Sequence, residues 1–302
     1  MPPTLGRIGI WIPSRVLRPR DSGHGPNSAA TDSADKELAD VLTEIEELGY
    51  GTLWLGMADG DLADVSWMLG HTRRLVVATG IVSIWINPAD TTAAAYADVS
   101  ARYPGRVLLG LGVSHHHLVE QSGQSYTRPY SRMVSYLDKL DAAEQPVPAD
   151  GRALAALGPR MLRLAGQRSA GAHPYLVTPE HTRQAREILG DGPLLAPEQK
   201  VVLETDPAAA RAIGRRMVSF YLAAPNYTRN LLRLGFTEDD LADGGSDRLV
   251  DALVAWGDAS TVLARVREHH QAGADHVPIQ VLTPDGSLPL AQWRLLAEVL
   301  RG

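Results

Sequence analysis

Eight short apolar runs recur along the chain, and a segment with helical spacing follows each one; this alternation constrains the fold more than any other feature. The runs occupy residues 6–13 (GRIGIWIP), 52–57, 75–84, 107–113, 153–157, 172–178, 201–205 and 276–282. Parallel strands need crossover connections, so a strand–helix alternation specifies a parallel sheet. The run 75–84 (LVVATGIVSI) is continuously apolar, as a strand covered on both faces must be. Eight such units are the number that closes a barrel. The expected fold is therefore α/β, a (β/α)8 TIM barrel forming one domain over residues 1–302. The stretch 207–270 holds more helical turns than one crossover needs, which predicts extra helices between strands 7 and 8. A doubly wound open sheet is the competing pattern, but no GxGxxG follows strand 1. Leu38, Val41, Leu42, Ile45 and Leu48 share one helix face that Gly49 stops, and a Gly/Ser/Asp-rich stretch over 20–34 reads as a mobile loop or lid.

Composition narrows the chemistry. The apolar fraction is 44%, enough for a full core. Cysteine is absent, which removes disulfides, thiolate metal sites and cysteine nucleophiles. A net charge of −6 offers no basic footprint for nucleic acid. The N-terminal apolar stretch precedes its basic residues, the reverse of a signal peptide, and no apolar run is long enough to span a membrane. The sequence reads as that of a cytoplasmic protein acting on a small-molecule substrate.

In a barrel the active site is built at the C-terminal ends of the strands. That rule selects residues 11–15, 57–60, 80–87, 112–120, 156–160, 176–181, 204–207 and 280–284. Schiff-base chemistry needs a lysine at a strand top. The three lysines are elsewhere: Lys36 and Lys139 in predicted helices, Lys200 at the expected bottom of strand 7. A glycosidase needs facing carboxylates, for which Glu120 and Glu204 are the available pair. His115, His116 and His117 suggest a metal, but consecutive side chains cannot all converge on one ion, so no metal is assigned; His115, closest to the strand top, is given the ligand-facing role. At Gly158-Pro159-Arg160 a strand of small residues meets a helix start. Pro lacks the amide hydrogen that this position leaves unpaired, Gly permits close approach, and the helix dipole favours an anion such as phosphate.

Four stretches carry a family likeness: ELADVLTEIEELGYGTLWLG, RRLVVATGIVSIWINPADTTAAAYADVSARYPGRVLLGLGVS, AALGPRMLRLAGQRSAGAHPYLVT and LARVREHHQAGADHVPIQ. Through them the chain resembles the luciferase-like monooxygenase superfamily, and within it the branch that uses the deazaflavin coenzyme F420. The resemblance implies a bacterial-luciferase-like barrel and an oxidoreductase transferring hydride, with FMN as the alternative cofactor. It implies a cis peptide at Gly80-Ile81 against the cofactor's central ring, and places Gly112, Val113 and Ser114 along that ring. Ala155, Ala156, Leu157 and Gly158, with Pro159 and Arg160, match the segment that holds the cofactor phosphate, and Thr178 the loop that continues it. It also implies pairing through outer helices, hence a homodimer, with Trp67, Met68 and Tyr96 as apolar residues in need of cover.

Two departures bear on mechanism. Sugar-phosphate dehydrogenases of this branch carry an Asp-His pair at the top of strand 2, where this chain has Met57 and Ala58. Little of the family insertion between helix 4 and strand 5 remains, only DAAEQPVPADGR, which opens the pocket. Trp11, Met57 and Trp85 are the expected substrate-side walls, and His115, where several relatives place an acidic residue, is the expected proton donor. Loss of the Asp-His pair also fits a catalytically silent barrel that only binds the cofactor.

Overall fold

A computed structural model describes residues 3–17, 28–121 and 123–301 of the chain. Residues 20–27 of the expected lid lie outside the described residues, and 28–34 open a helix instead. The first half runs β1 (Ile8–Pro13), α1 (Ser14–Leu17), α2 (Ser28–Glu47), β2 (Thr52–Gly56), α3 (Ala63–Gly70), β3 (Val76–Thr79), β4 (Val82–Ser83), α4 (Ala89–Arg102), β5 (Val107–Gly112), α5 (His116–Gln121) and α6 (Pro129–Asp141). The second half runs β6 (Arg152–Leu154), α7 (Pro159–Arg168), β7 (Gly171–Ala172), α8 (Pro179–Leu189), β8 (Leu194–Leu195) and β9 (Gln199–Val202). Next come α9 (Pro207–Leu222), α10 (Pro225–Arg233), α11 (Glu238–Leu241), α12 (Asp247–Leu253), β10 (Val254–Trp256), α13 (Ala259–Gln271), β11 (Val277–Val281) and α14 (Leu290–Arg301).

Every described strand pairing is parallel, in the order β10-β9-β11-β1-β2-β3-β5-β6-β7-β8, with β4 beside β5. The result is an α/β fold around a curled parallel sheet. Successive side chains on a strand face opposite ways, and the two faces separate here by parity. Ile10, Ile12, Leu53, Leu55 and Val77 pack with the helices, while Trp11, Trp54, Val76, Ala78 and Ala153 form a second cluster. Both faces are thus covered, which is why the strands read as continuous apolar runs.

Helix starts follow local chemistry. Thr178, Asp206 and Asp258 accept backbone N–H bonds at the first turns of α8, α9 and α13, replacing partners that the helix cannot supply. Gly49, after α2, takes φ +94°, a conformation that costs glycine least.

Several expected boundaries move. The strand expected at 172–178 is only Gly171–Ala172: Pro174 cannot donate to a ladder, and Leu176 has φ +54°. The strand expected at 201–205 starts earlier, at Gln199, and therefore includes Lys200. Lys200 pairs in register with Gln280 and is fully buried, so it does not mark the strand's bottom as expected. The single strand expected at 75–84 is broken into β3 and β4, and β10 interrupts the helical stretch 207–270. Met68 and Tyr96 are buried in the core rather than left for a partner to cover, and Trp67 is half-buried with the His71 ring 4.1 Å away.

Candidate active site

The C-terminal ends of the strands surround a cavity of about 1230 Å³. Trp11 enters it from β1, Met57 follows β2, and Gly80 and Ile81 bridge β3 and β4. The peptide between Gly80 and Ile81 is cis, at the bond where it was expected. Gly112, Val113, Ser114 and His115 line the cavity after β5, and Ala155, Ala156, Leu157 and Gly158 after β6. Twelve of the residues singled out in the sequence therefore meet in one place. Gly80, Gly112, Ser114, Ala155, Ala156 and Gly158 among them make a wall of small side chains. A Cβ on Gly112 would stand 2.6 Å from Ile81 Cγ1 and 3.2 Å from Ala155 Cβ, so any larger residue there must displace Ile81.

Four singled-out residues lie off the cavity lining. Trp85 stands behind it, its indole N–H donating to Val113 O at 2.8 Å, with the Arg132 guanidinium 5.0 Å above its ring; it braces the wall from a smaller cavity of about 290 Å³. Thr178 is buried as the cap of α8, its hydroxyl accepting from His181 N at 3.3 Å. Arg160 lies over the Tyr130 ring at 4.3 Å, and Pro159 forms the first turn of α7. At that helix start Gly158 has extended φ/ψ and no side-chain cap, while Met161 N–H is taken by Gly158 O at 3.1 Å. That leaves the amides of Gly158 and Arg160 to meet an anion at this helix start. Arg233 adds a cation, its guanidinium 3.6 Å from where a Gly158 Cβ would sit.

The consecutive histidines diverge. His115 lies 5.4 Å from the Tyr221 ring and 5.7 Å from the Tyr227 ring, at the cavity; His116 turns to Glu120, Nε2 to Oε1 3.1 Å. The His117 side chain lies outside the described residues. Glu204 accepts from Asp206 N at 2.9 Å. Neither Glu120 nor Glu204 lines the cavity, which removes the facing carboxylates of the glycosidase reading.

One polar part of the cavity joins Gln280, within the selected stretch 280–284, to Tyr175 and Tyr221, which strand-top reasoning missed. Tyr175, Tyr221 and Gln280 line it and form a chain: Tyr221 OH donates to Tyr175 OH at 3.2 Å, and Tyr175 OH donates to Gln280 Oε1 at 2.7 Å. Beneath them Lys200 Nζ donates to Glu198 at 2.9 and 3.0 Å and to Gln280 Oε1 at 3.2 Å, with the Tyr175 ring face 3.5 Å away. Burial lowers the Lys200 pKa to about 8 and raises that of Glu198, while their mutual attraction opposes both shifts. Burial likewise raises Tyr221 to about 12 and holds Tyr175 well above the ordinary phenol range. Tyr221 sits on α9, inside the predicted extra-helix region, where an aromatic at helical spacing reads as core; Glu198, just before β9, and Lys200, within it, are two residues apart, the spacing from which a pair could be read.

The cavity has a fit for a planar, partly polar ring system. Its small-residue wall leaves room, and Trp11 Nε1, at its edge, is buried without a hydrogen-bond partner among the described residues. A buried unpaired donor is costly, and a ligand acceptor at that edge would remove the cost.

Comparison with known proteins agrees. The family model described as luciferase-like monooxygenase matches residues 7–276. A Mycobacterium tuberculosis protein named for coenzyme F420-dependent oxidoreductase activity is 24% identical over 304 aligned positions, covering 78% of this chain and 88% of its own. Among solved structures, the coenzyme F420-dependent tetrahydromethanopterin reductase of Methanopyrus kandleri superposes with TM-score 0.72 at 16% identity, over 98% of each chain. An F420-dependent secondary alcohol dehydrogenase gives 0.70 at 13% identity, also over 98% of each. The FMN-bound oxygenating constituent of a Pseudomonas putida diketocamphane monooxygenase gives 0.63 at 13% identity, over 98% of this chain and 97% of its own.

Proposed function

The chain belongs to the luciferase-like monooxygenase family, and from that premise we propose that it is an oxidoreductase dependent on coenzyme F420, transferring hydride between the deazaflavin and a small organic substrate. The observation that carries the reading is the cavity itself, in which the small-residue wall and the helix start at Gly158 adjoin. The relative named for F420 chemistry supports the choice of cofactor. FMN is the second reading, favoured by the FMN-bound neighbour.

When bound, the coenzyme supplies a two-electron hydride couple; the protein supplies binding and orientation. Gly80, Ile81, Gly112, Val113 and Ser114 shape the ring wall. Ala155, Ala156, Leu157 and the amides of Gly158 and Arg160 hold the phosphate tail, with Pro159 fixing the turn, Arg233 adding charge and Thr178 keeping α8 in place. Met57 and Trp11 bound the substrate side, and His115 is the proton donor or acceptor nearest the wall. Only two carboxylates, Asp59 and Asp64, line the cavity among the described residues, which suits chemistry that relies on orientation.

The fold reading extends to a closed eight-stranded barrel. β8 pairs with β7, β9 pairs with β11, and residues 196–198 alone separate β8 from β9. Taken as one bent strand, they would link β7 to β11 and complete the ring, with β10 beside β9 outside it. Two further proposals accompany the function: a cytoplasmic location, tested by fractionation, and a homodimer, tested by light scattering.

The deciding experiment is a titration of the purified chain with F420, FMN and FAD. Binding of F420 alone is expected. Binding of FMN alone moves the protein to the monooxygenase reading, and binding of none refutes the cofactor assignment.

A further inference from the structure

We propose that Tyr221 is the ligand of the substrate's reacting oxygen, and that Lys200, Gln280 and Tyr175 fix its hydroxyl as a hydrogen-bond acceptor, so that the site selects an alcohol over the carbonyl compound of the same skeleton. The inference rests on the oxidoreductase reading above.

The polarity follows from donor counting. A lysine ammonium has three donors and no acceptor. Lys200 gives two to Glu198 and one to Gln280, so the atom of Gln280 that faces it must be the carbonyl oxygen. That oxygen only accepts. Tyr175, 2.7 Å away, must therefore donate its hydrogen to it. The Tyr175 oxygen is left as an acceptor and takes the Tyr221 hydrogen at 3.2 Å. Each hydrogen points inward, and Tyr221 meets the cavity with a lone pair. A substrate hydroxyl can donate to that lone pair. A carbonyl cannot, unless Tyr221 first gives up its bond to Tyr175.

The buried pair gains a purpose in this arrangement. Replacing a buried ion pair by apolar side chains is often neutral or stabilising, so Glu198 and Lys200 are weakly explained by stability alone. Both are essentially inaccessible to solvent, and neither lines the cavity. Their effect reaches the cavity through Gln280 and Tyr175, which makes them positioning residues. The rim indicates the rest of the substrate. Met57, Ile86 and Phe220 line the cavity yet remain about half exposed, at 58, 52 and 50%. Such a rim suits an apolar body carrying one hydroxyl.

Cyclohexanol and cyclohexanone share a skeleton and differ at the reacting oxygen. Their dissociation constants from the full-length protein, by ligand-observed NMR with and without F420, test the proposal. Cyclohexanol should bind about five-fold more tightly, the worth of one neutral hydrogen bond. Tyr221→Phe should weaken the alcohol alone and bring the two constants together. Tyr175→Phe leaves the buried pair intact and frees the Tyr221 hydrogen to turn outward, so the ketone should gain affinity and the preference should fall towards unity. Equal constants in the parent, no binding of either probe, or an alcohol preference that survives Tyr221→Phe overturns the assignment. A preference unchanged in Tyr175→Phe overturns the positioning role. Failure of the cofactor reading is separately visible, because the F420 titration is independent of the alcohol-to-ketone ratio.

Discussion

Acidification from pH 7 to 5 should remove about 6 kcal/mol of stability, through three histidines that are locked neutral inside the fold. His173, His269 and His276 are each at most 1% exposed. Burial lowers their pKa values to about 3, about 3 and about 4. Geometry agrees independently. Trp54 Nε1 only donates, and it points at His276 Nε2 from 3.0 Å, so that nitrogen must carry no proton; His276 Nδ1 donates to Gly6 O at 2.8 Å. His269 is held between Thr182 Oγ1 and Gln199 Oε1, each at 2.8 Å. In the unfolded chain the same rings titrate near 6.5. Between that value and 3–4 the unfolded state binds more protons, so stability falls as pH falls. At pH 5 each ring lies about 1.5 pH units below its unfolded value and still above its folded one, about 2 kcal/mol apiece at 1.36 kcal/mol per unit. Glu198, raised by burial, works in the opposite direction and offsets part of the loss. Asp141, Asp251 and Asp258 are held low and contribute only below about pH 4. With a urea slope of about 3 kcal/mol/M, the denaturation midpoint should drop by roughly 2 M between pH 7 and 5. His276→Gln, which can still accept from Trp54, should flatten the dependence by about a third. A midpoint that does not move over this range would refute the premise that these rings stay neutral in the fold.

Gly158→Val should weaken F420 binding about 10- to 100-fold by filling the gap between the α7 start and Arg233, equivalent to 1–3 kcal/mol of charge-assisted hydrogen bonding; an unchanged dissociation constant at unchanged melting temperature would displace the phosphate from this site. Asp206→Ala removes the side chain that accepts from Ala209 N at 2.8 Å. It should cost about 1 kcal/mol in denaturant unfolding, the usual value of an N-cap. Light scattering should report twice the 32.6 kDa chain mass, and a constant single-chain mass across concentrations would exclude the homodimer.

How far the sequence could be read depended on whether a feature was local. The strand tops are legible where an apolar run marks its own end, as beside Trp11 and Gly158; Gly80 and Gly112, inside their runs, are picked out by the family likeness. The Lys200 network was not legible. Gln199 and Lys200 interrupt the apolar pattern, so the strand seemed to begin at Val201, and the compensation for burying them comes from Glu198, Gln280 and His269, the last two some 70–80 positions away. Periodicity sees neither partner. Tyr221 was hidden for the same reason: on α9 it has core spacing, and only packing against Tyr175 shows that it faces the cavity. Met68 and Tyr96 show the converse, since residues assigned to an interface proved to be core.

The two glycines of β5 separate stability from function at one strand. β3 pairs Ala78 with Leu108, and β4 pairs Val82 with Leu111. Four steps on one strand thus match three on the other, a one-residue bulge that re-aims the side chains beyond it. The bulge occupies space left by Gly110 and Gly112. A Cβ on Gly110 would collide with the backbone oxygen of Thr79, whose carbonyl cannot yield without disturbing the ladder. Gly110→Ala should therefore cost about 3 kcal/mol, the upper range for overpacking. A Cβ on Gly112 meets the Ile81 side chain at 2.6 and 2.9 Å, and a side chain can rotate. Ile81 lines the cavity, so the atoms that yield move toward the space assigned to the cofactor ring. Gly112→Ala should lose only about 1 kcal/mol of stability, yet weaken F420 at least as much as Gly158→Val does. The two substitutions, measured by urea unfolding and F420 titration, should fall at opposite corners: unstable for Gly110→Ala, folded but poorly binding for Gly112→Ala. If Gly112→Ala bound F420 like the parent, Ile81 would not be part of the ring wall, and the bulge would serve the sheet alone.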